Sequence, residues 1–275
     1  MPTLHIFADE SGTMPVNDND KPFVAATVAF LGKPPDAICG SDEDEKLVEI
    51  LKASNAMPFA ATVRPFPGYG NNLKSRIEKI KIMARAKCLL NGSVPRYPDK
   101  DGINLHNEVW GFAMDQSLAH VVMNNILESS PIDKIRIVFD QKTMTKNRRD
   151  FFCQTVHRIG TRLREYLETF EQKCSKNEVA FFRDRIQFSA QSITVHWSDE
   201  PNLVQHLFGL KLADRFARKM YQQLGNIAQT RFDSILQNAG FSDFTVDITK
   251  LLVRPVNRNM IDAWKSETGL PEPQV

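Results

Sequence analysis

Residues Lys134 to Asp140, KIRIVFD, alternate in side-chain character and stop at an aspartate. Alternation with a period of two specifies a strand with one face in a core. A second apolar run, Leu4 to Asp9, also ends in an aspartate, and Glu10-Ser11-Gly12-Thr13 then marks a turn. In open α/β sheets ligands bind beyond the carboxyl ends of parallel strands. Two strands that each end in Asp therefore constrain the fold and the position of its site together. Along Leu4 to Asp9, alternation sets His5, Phe7 and Asp9 on one face and Leu4, Ile6 and Ala8 on the other. Asp9 is thus favoured over Glu10 as a ligand.

The remaining pattern supplies helices and further strands. Phe23 to Leu31 reads as a strand, Ala60 to Arg64 as a short one, and Arg185 to Ser192 as a fifth. Helical spacing marks Asn72 to Leu90, about His106 to Glu128, Phe152 to Phe170, and Pro201 to Tyr221. Ser41 is placed to cap a shorter helix carrying Leu47, Ile50 and Leu51. Strands come first and βα units follow, which predicts a mixed sheet: an antiparallel meander that continues into parallel strands covered by helices. The periodicity weakens after Gly225. Residues 1–225 are expected as the domain, and 226–275 as a C-terminal extension on or beside it, with a strand at Phe244 to Val253.

With 275 residues, 42% of them hydrophobic, the chain can bury a real core. Lys and Arg total 35 against 33 Asp and Glu, so a net charge of +2 neither requires nor excludes a nucleic-acid partner. Four scattered cysteines give no zinc spacing and fit a reducing, cytoplasmic setting. The longest apolar run, Phe23 to Leu31, is too short to span a bilayer.

Asp214 carries the most chemical information. Leu203, Leu207, Leu210, Asp214, Ala217 and Tyr221 fall on one helical stripe. A carboxylate on the stripe facing the sheet needs a cation, because an unpaired buried charge costs several kcal/mol or shifts its pKa. That cation is an arginine, a lysine or a metal, the main alternative to a metal being a salt bridge to a distant arginine; Arg215 and Arg218 are expected to point elsewhere. Neutralisation by an arginine would remove the support for an enzyme and leave a fold assignment alone. Asp9, Asp140 and Asp214 at one rim would repel one another unless a cation bound there, and hard oxygen donors select Mg²⁺ or Mn²⁺.

These motifs resemble a known family. Phe7-Ala8-Asp9-Glu10-Ser11-Gly12 resembles the "DESG" strand of the mostly bacterial domain-of-unknown-function family number thirty-eight hundred. Gly209 to Asp214 (GLKLAD) resembles its "LQLAD" helix, Ile137 to Asp140 its internal strand, and Leu105-His106-Asn107-Glu108 its His-containing segment. The resemblance spans about residues 4 to 222 and leaves 226–275 uncovered. It implies a ribonuclease H-like fold with a mixed five-stranded sheet flanked by helices. It also implies metal ligation and catalysis by Asp9, Glu108, Asp140 and Asp214, with Glu10, Ser11 and His106 close by. The expected activity is hydrolysis of DNA or RNA by a two-metal mechanism. The family's Gln is Lys211 here, a residue placed either to meet phosphate or to face solvent.

Lys142, Lys146, Arg148 and Arg149 follow Asp140 and are the best candidates, with Lys211, for phosphate contacts. The alternative function is a non-catalytic module on the same fold that binds nucleic acid or another partner. An ATP-handling enzyme ranks last, since no second glycine-rich loop follows Asp140.

Overall fold

The computed structural model describes residues 2–34, 44–91, 105–128, 132, 134–140, 193–198, 207–225 and 231–273. Its centre is a mixed sheet of six strands: β1 (Thr3–Gly12), β2 (Phe23–Leu31), β3 (Met57–Val63), β4 (Lys134–Phe139), β5 (Ile193–Trp197) and β6 (Thr245–Asp247), in the order β5-β4-β1-β2-β3-β6. β1, β2 and β3 form an antiparallel meander; β4 pairs parallel to β1, β5 to β4, and β6 to β3. Among the described residues the sheet has six strands: four of the expected strands, β5 at Ile193–Trp197, and β6, which falls within the strand expected at Phe244 to Val253 and pairs with the edge of β3. The expected strand at 185–192 and helix at 152–170 lie outside the described residues. β5 begins immediately after that expected strand.

Helices cover both faces. Over one face lie α1 (Asp44–Ala53), α4 (Leu207–Gly225) and α5 (Arg231–Asn238), which bury Phe7, Val24, Ala26, Val28 and Val138 against Leu47, Ala213, Phe216 and Leu236. Over the other lie α2 (Tyr69–Leu90), α3 (Leu105–Glu128) and the short α6 (Thr249–Val253), which bury Leu4, Ile6, Phe139 and Ile137 against Leu73, Trp110, Met114 and Leu252. β1 and β4 are buried on both faces, as central strands must be.

The C-terminal segment is partly helical where a strand was expected. β6 has three residues; then the Asp247 side chain accepts a hydrogen bond from the Thr249 amide at 2.9 Å and turns the chain into α6. α7 (Arg258–Thr268) follows, capped by Asn257 at its start and closed by Gly269 with φ 68°. Trp264 of α7 is buried, and its ring N–H donates to the Met83 carbonyl of α2 at 2.9 Å. Among the described residues no helix is long and apolar enough to cross a membrane.

The loop between β1 and β2 is tied to the start of α2. Asp18 accepts hydrogen bonds from the Gly68 and Gly70 amides, each at 2.7 Å, which satisfies donors the first helical turn leaves open. Those two amides, Gly70 first, hold the Asp18 carboxyl below its ordinary value against a small effect of burial. A carboxyl depressed in the fold stabilises above its unfolded pKa, and that stabilisation disappears as the pH falls through the folded one. Asp18→Ala is therefore expected to melt at a lower temperature than the parent at pH 7. The gap should close as the pH falls below about 4. Thermal melts across that range check it, and a gap independent of pH would contradict it.

Candidate metal centre

Asp9 and Asp140 come together through strand register. Phe7 stands opposite Val138, and Ala8 opposite Phe139, on neighbouring parallel strands about 4.8 Å apart. The register carries Asp140 to the place beside Asp9, and the Asp140 amide donates to the Ala8 carbonyl at 3.4 Å. Phe7 and Val138 belong to the core beneath α4. By alternation, the Asp9 and Asp140 side chains leave the sheet on that same face. Asp9 is 5% exposed, and its Oδ1 accepts the Glu10 amide at 2.7 Å. Asp140 is half-buried, and its Oδ1 accepts from the Ser198 hydroxyl at 3.0 Å. Ser198 was not singled out from the sequence: it lies just past β5, and only the pairing of β5 with β4 brings it to Asp140.

α4 seats on β1 at two glycines. At Gly209 a Cβ would come within 2.2–2.4 Å of three Phe7 ring carbons, and at Gly12, where φ is +93°, it would meet Pro22 and the ring of Tyr221. Helix and strand therefore run the same way. Phe7 to Gly12 rises about 16 Å and Gly209 to Tyr221 about 18 Å. Asp9 stands about 7 Å beyond Phe7, and Asp214 about 7.5 Å beyond Gly209, so the two lie level along the axis. Lys219 leaves α4 toward α1, where its ammonium lies 2.7 Å from Asp44. Asp214, five residues before Lys219, lies about 140° around the helix from it.

Asp214 is not on the buried stripe, however. That stripe is Phe208, Leu212, Ala213, Phe216, Ala217 and Met220. The Asp214 side chain is 41% exposed and is paired with Arg218, one turn on, whose own side chain is 53% exposed. The expectation that the nearby arginines point away from Asp214 is thus corrected for Arg218, and with it Asp214 ceases to support an enzyme; only the pair Asp9 and Asp140 is left to carry such a reading. An i,i+4 pair this open to solvent contributes only about 0.3–0.5 kcal/mol, so a divalent cation can displace it.

Glu108 reaches the same end of the sheet from the other face. It lies in the first turn of α3, half-buried, where the helix dipole favours a carboxylate. Trp110, two residues on, packs 5.8 Å from Phe139 at the end of β4. His106 is exposed beside the β1–β2 loop. Burial works to raise the Asp20 carboxyl, but the Val16 and Asn17 amides and the His106 charge outweigh it and hold the carboxyl below its ordinary value. Glu10 and Ser11 are half-buried on the last turn of β1, and Lys211 is exposed on the outer side of α4. Lys142, Lys146, Arg148 and Arg149 lie outside the described residues.

Among the described residues no three His, Cys, Asp or Glu side chains meet closely enough to hold a metal ion. The structure brings Asp9 and Asp140 together, sets Asp214 level with Asp9 but engaged with Arg218, and leaves Glu108 across the sheet. Two carboxylates still fit a hard cation: Mg²⁺ commonly takes one or two, and completes its shell with water and substrate phosphate. No family model matches the chain, and neither does any curated protein or solved structure.

Proposed function

We propose that the protein is a nuclease on a ribonuclease H-like fold, dependent on Mg²⁺ or Mn²⁺ and related to the DESG/LQLAD family that its motifs resemble. The observation that carries this reading is the pair Asp9 and Asp140, one buried and one half-buried, side by side on one face at the carboxyl ends of two parallel strands. The antiparallel meander β1–β2–β3 continued by parallel β4 and β5 supports the fold assignment.

Asp9 and Asp140 would hold the cation, with the Ser198 hydroxyl orienting the Asp140 carboxylate; Asp214 would add to them only on leaving Arg218, and Glu108 would serve from the α3 side. The cation, when bound, acidifies water and offsets the charge that gathers on the phosphodiester oxygens. Water oxygen adds to phosphorus, the bond to the 3′-oxygen breaks, and the products are a 5′-phosphate and a 3′-hydroxyl. Lys142, Lys146, Arg148 and Arg149 hold flanking phosphates, a role assigned by their position after Asp140. DNA and RNA are both open as substrates.

A second reading has its own support. The Asp214–Arg218 pair and the separation of the acids favour a nucleic-acid-binding module on this fold without catalysis. Calorimetric titration with Mn²⁺, alongside cleavage of labelled single- and double-stranded DNA and RNA, separates the two. Metal binding with metal-dependent cleavage supports the nuclease. Salt-sensitive binding without either supports the module. Arg218→Gln sharpens the comparison: it is expected to change stability by less than about 0.5 kcal/mol and to tighten Mn²⁺ binding by freeing Asp214. Unchanged Mn²⁺ affinity in that variant would exclude Asp214 as a ligand.

A further inference from the structure

Beyond the rim that carries Asp9 and Asp140, β1 runs on past the end of β4. Ala8 is the last residue of β1 paired with β4, whereas the pairing of β1 with β2 continues to Gly12 opposite Phe23. Asp9 stands opposite Ala26 and Ser11 opposite Val24, and both partners belong to the core beneath α4. Directly opposed residues of an antiparallel pair share a face, so Ser11 leaves the sheet on the same face as Asp9. Ser11 is half-buried and lies about 7 Å further along the strand than Asp9.

α4 brings Tyr221 to the same place. Tyr221 follows Asp214 by two helical turns, and so lies on the same side of α4, about 10 Å further along. A Cβ at Gly12 would stand 2.7 Å from Tyr221 Cε2 and 3.0 Å from its Cδ2, so the lack of a side chain there lets the ring edge rest against β1. The ring packs on the core beneath α4, and the residue is half-buried. The hydroxyl oxygen is two bonds from Cε2, on the ring edge that meets Gly12. Among the described residues neither the Tyr221 nor the Ser11 hydroxyl has a hydrogen-bond partner.

The end of β1 and the last turns of α4 therefore form a ledge with two hydroxyls, on the face that carries Asp9 and Asp140. Each hydroxyl can donate one hydrogen bond, and neither brings charge. Serine and tyrosine hydroxyls are common contacts to phosphate oxygens, where they set the register of a strand. A neutral donor suits this place. A lysine or arginine beside the rim would be drawn to its carboxylates, as Arg218 is to Asp214, and would compete with the cation. The step of about 7 Å from Asp9 to Ser11 is also about one nucleotide of an extended strand. A phosphodiester held at Asp9 and Asp140 would thus bring its neighbour to the ledge.

We infer that the Tyr221 and Ser11 hydroxyls position a nucleic-acid strand by holding the backbone phosphate next to the phosphodiester at Asp9 and Asp140. The inference rests on the nuclease reading for its ligand, but its test is separable. Binding of a labelled single-stranded oligonucleotide is followed by fluorescence anisotropy over a salt series, in an Asp9→Asn background that blocks turnover. Tyr221→Phe keeps the ring against Gly12 and removes only the donor. It is expected to weaken binding about tenfold, and Ser11→Ala by a similar factor. The slope of log K against log salt should stay unchanged in both, because no protein cation is lost. Oligonucleotides that each carry one neutral methylphosphonate linkage supply a readout that a structural role would not move. At one linkage the replacement is expected to cost the parent affinity and to cost Tyr221→Phe much less. Circular dichroism reports the fold of both variants. Equal affinity of the folded variants and their parent would overturn the ledge, as would a loss in Tyr221→Phe that no single linkage reproduces, or a parent that binds no oligonucleotide. The binding difference in a wild-type protein that never cleaves would support the ledge and remove only the nuclease reading.

Discussion

If the proposed nuclease reading holds, Asp9→Asn is expected to lose metal-dependent cleavage by on the order of a thousandfold while keeping the fold. A ligated cation contributes several kcal/mol of charge stabilisation, and 1.36 kcal/mol corresponds to a factor of ten, so about 4 kcal/mol corresponds to about three decades. Asn preserves the local structure because its side-chain oxygen can still accept the Glu10 amide, and it occupies the same volume at a site 5% exposed. What it removes is the negative charge beside Asp140. Melting in chelator should therefore leave parent and variant close together. Added Mn²⁺ should separate them, since a ligand at a hundred times its Kd stabilises the state it binds by about 2.7 kcal/mol. Cleavage at parental rate by the variant, or an equal stabilisation of both by Mn²⁺, would remove Asp9 from the chemistry. Asp140→Asn is the natural companion. It retains the Ser198 hydrogen bond through its amide oxygen, and so isolates charge from geometry in the same way.

The sequence displayed the two aspartate-ending strands because alternation and burial coincide there: every residue from Leu4 to Ala8 other than His5 is buried. It also displayed the mixed sheet, since a meander followed by βα units has few ways to close. It misplaced the face of α4. Two stripes at helical spacing compete in Leu207 to Tyr221. One passes through Leu210, Asp214, Ala217 and Tyr221; the other through Phe208, Leu212, Phe216 and Met220. Periodicity alone does not choose between them. The close approach at Gly209 decides, by turning the second stripe onto Phe7 and moving Asp214 to the flank. The pairing of Asp214 with Arg218 follows from that rotation. In the C-terminal segment, Asn257 and Gly269 were readable as the two ends of α7. The β-branched residues around Val246 instead suggested a longer strand. Ser198 leaves no local signal, because its place beside Asp140 comes from the pairing of two strands distant in the chain.

Gly209→Val is expected to be the most damaging substitution in the fold. Gly in a helix interior ordinarily costs about 1 kcal/mol relative to Ala, so replacing it should help where space allows. Here there is none. The added Cβ would come within 2.2–2.4 Å of ring carbons of Phe7, which is fully buried and packs edge-on against Phe30 at 5.9 Å, with Phe30 in turn against Phe208 at 6.4 Å. Phe7 cannot yield without moving Phe30 and the start of α4. Overpacking of a filled core costs about 1–3 kcal/mol for a small insertion. The Ala variant therefore loses about 1–2 kcal/mol after its helix gain, and Val, with two further methyls, loses 3 kcal/mol or more. At about 2–4 °C per kcal/mol for a chain of this size, Val lowers the melting temperature by roughly 6–12 °C. Phe7→Leu combined with Gly209→Ala should recover part of the Ala loss, because the two positions share one volume and their effects are not additive. The same displacement reaches the site. α4 carries Asp214, and a helix lifted off β1 takes that carboxylate away from Asp9, so Mn²⁺ affinity should fall along with stability in Gly209→Ala and return with Phe7→Leu. A Gly209→Val protein as stable as its parent would mean that α4 does not rest on Phe7, and the level placement of Asp214 beside Asp9 would fail with it.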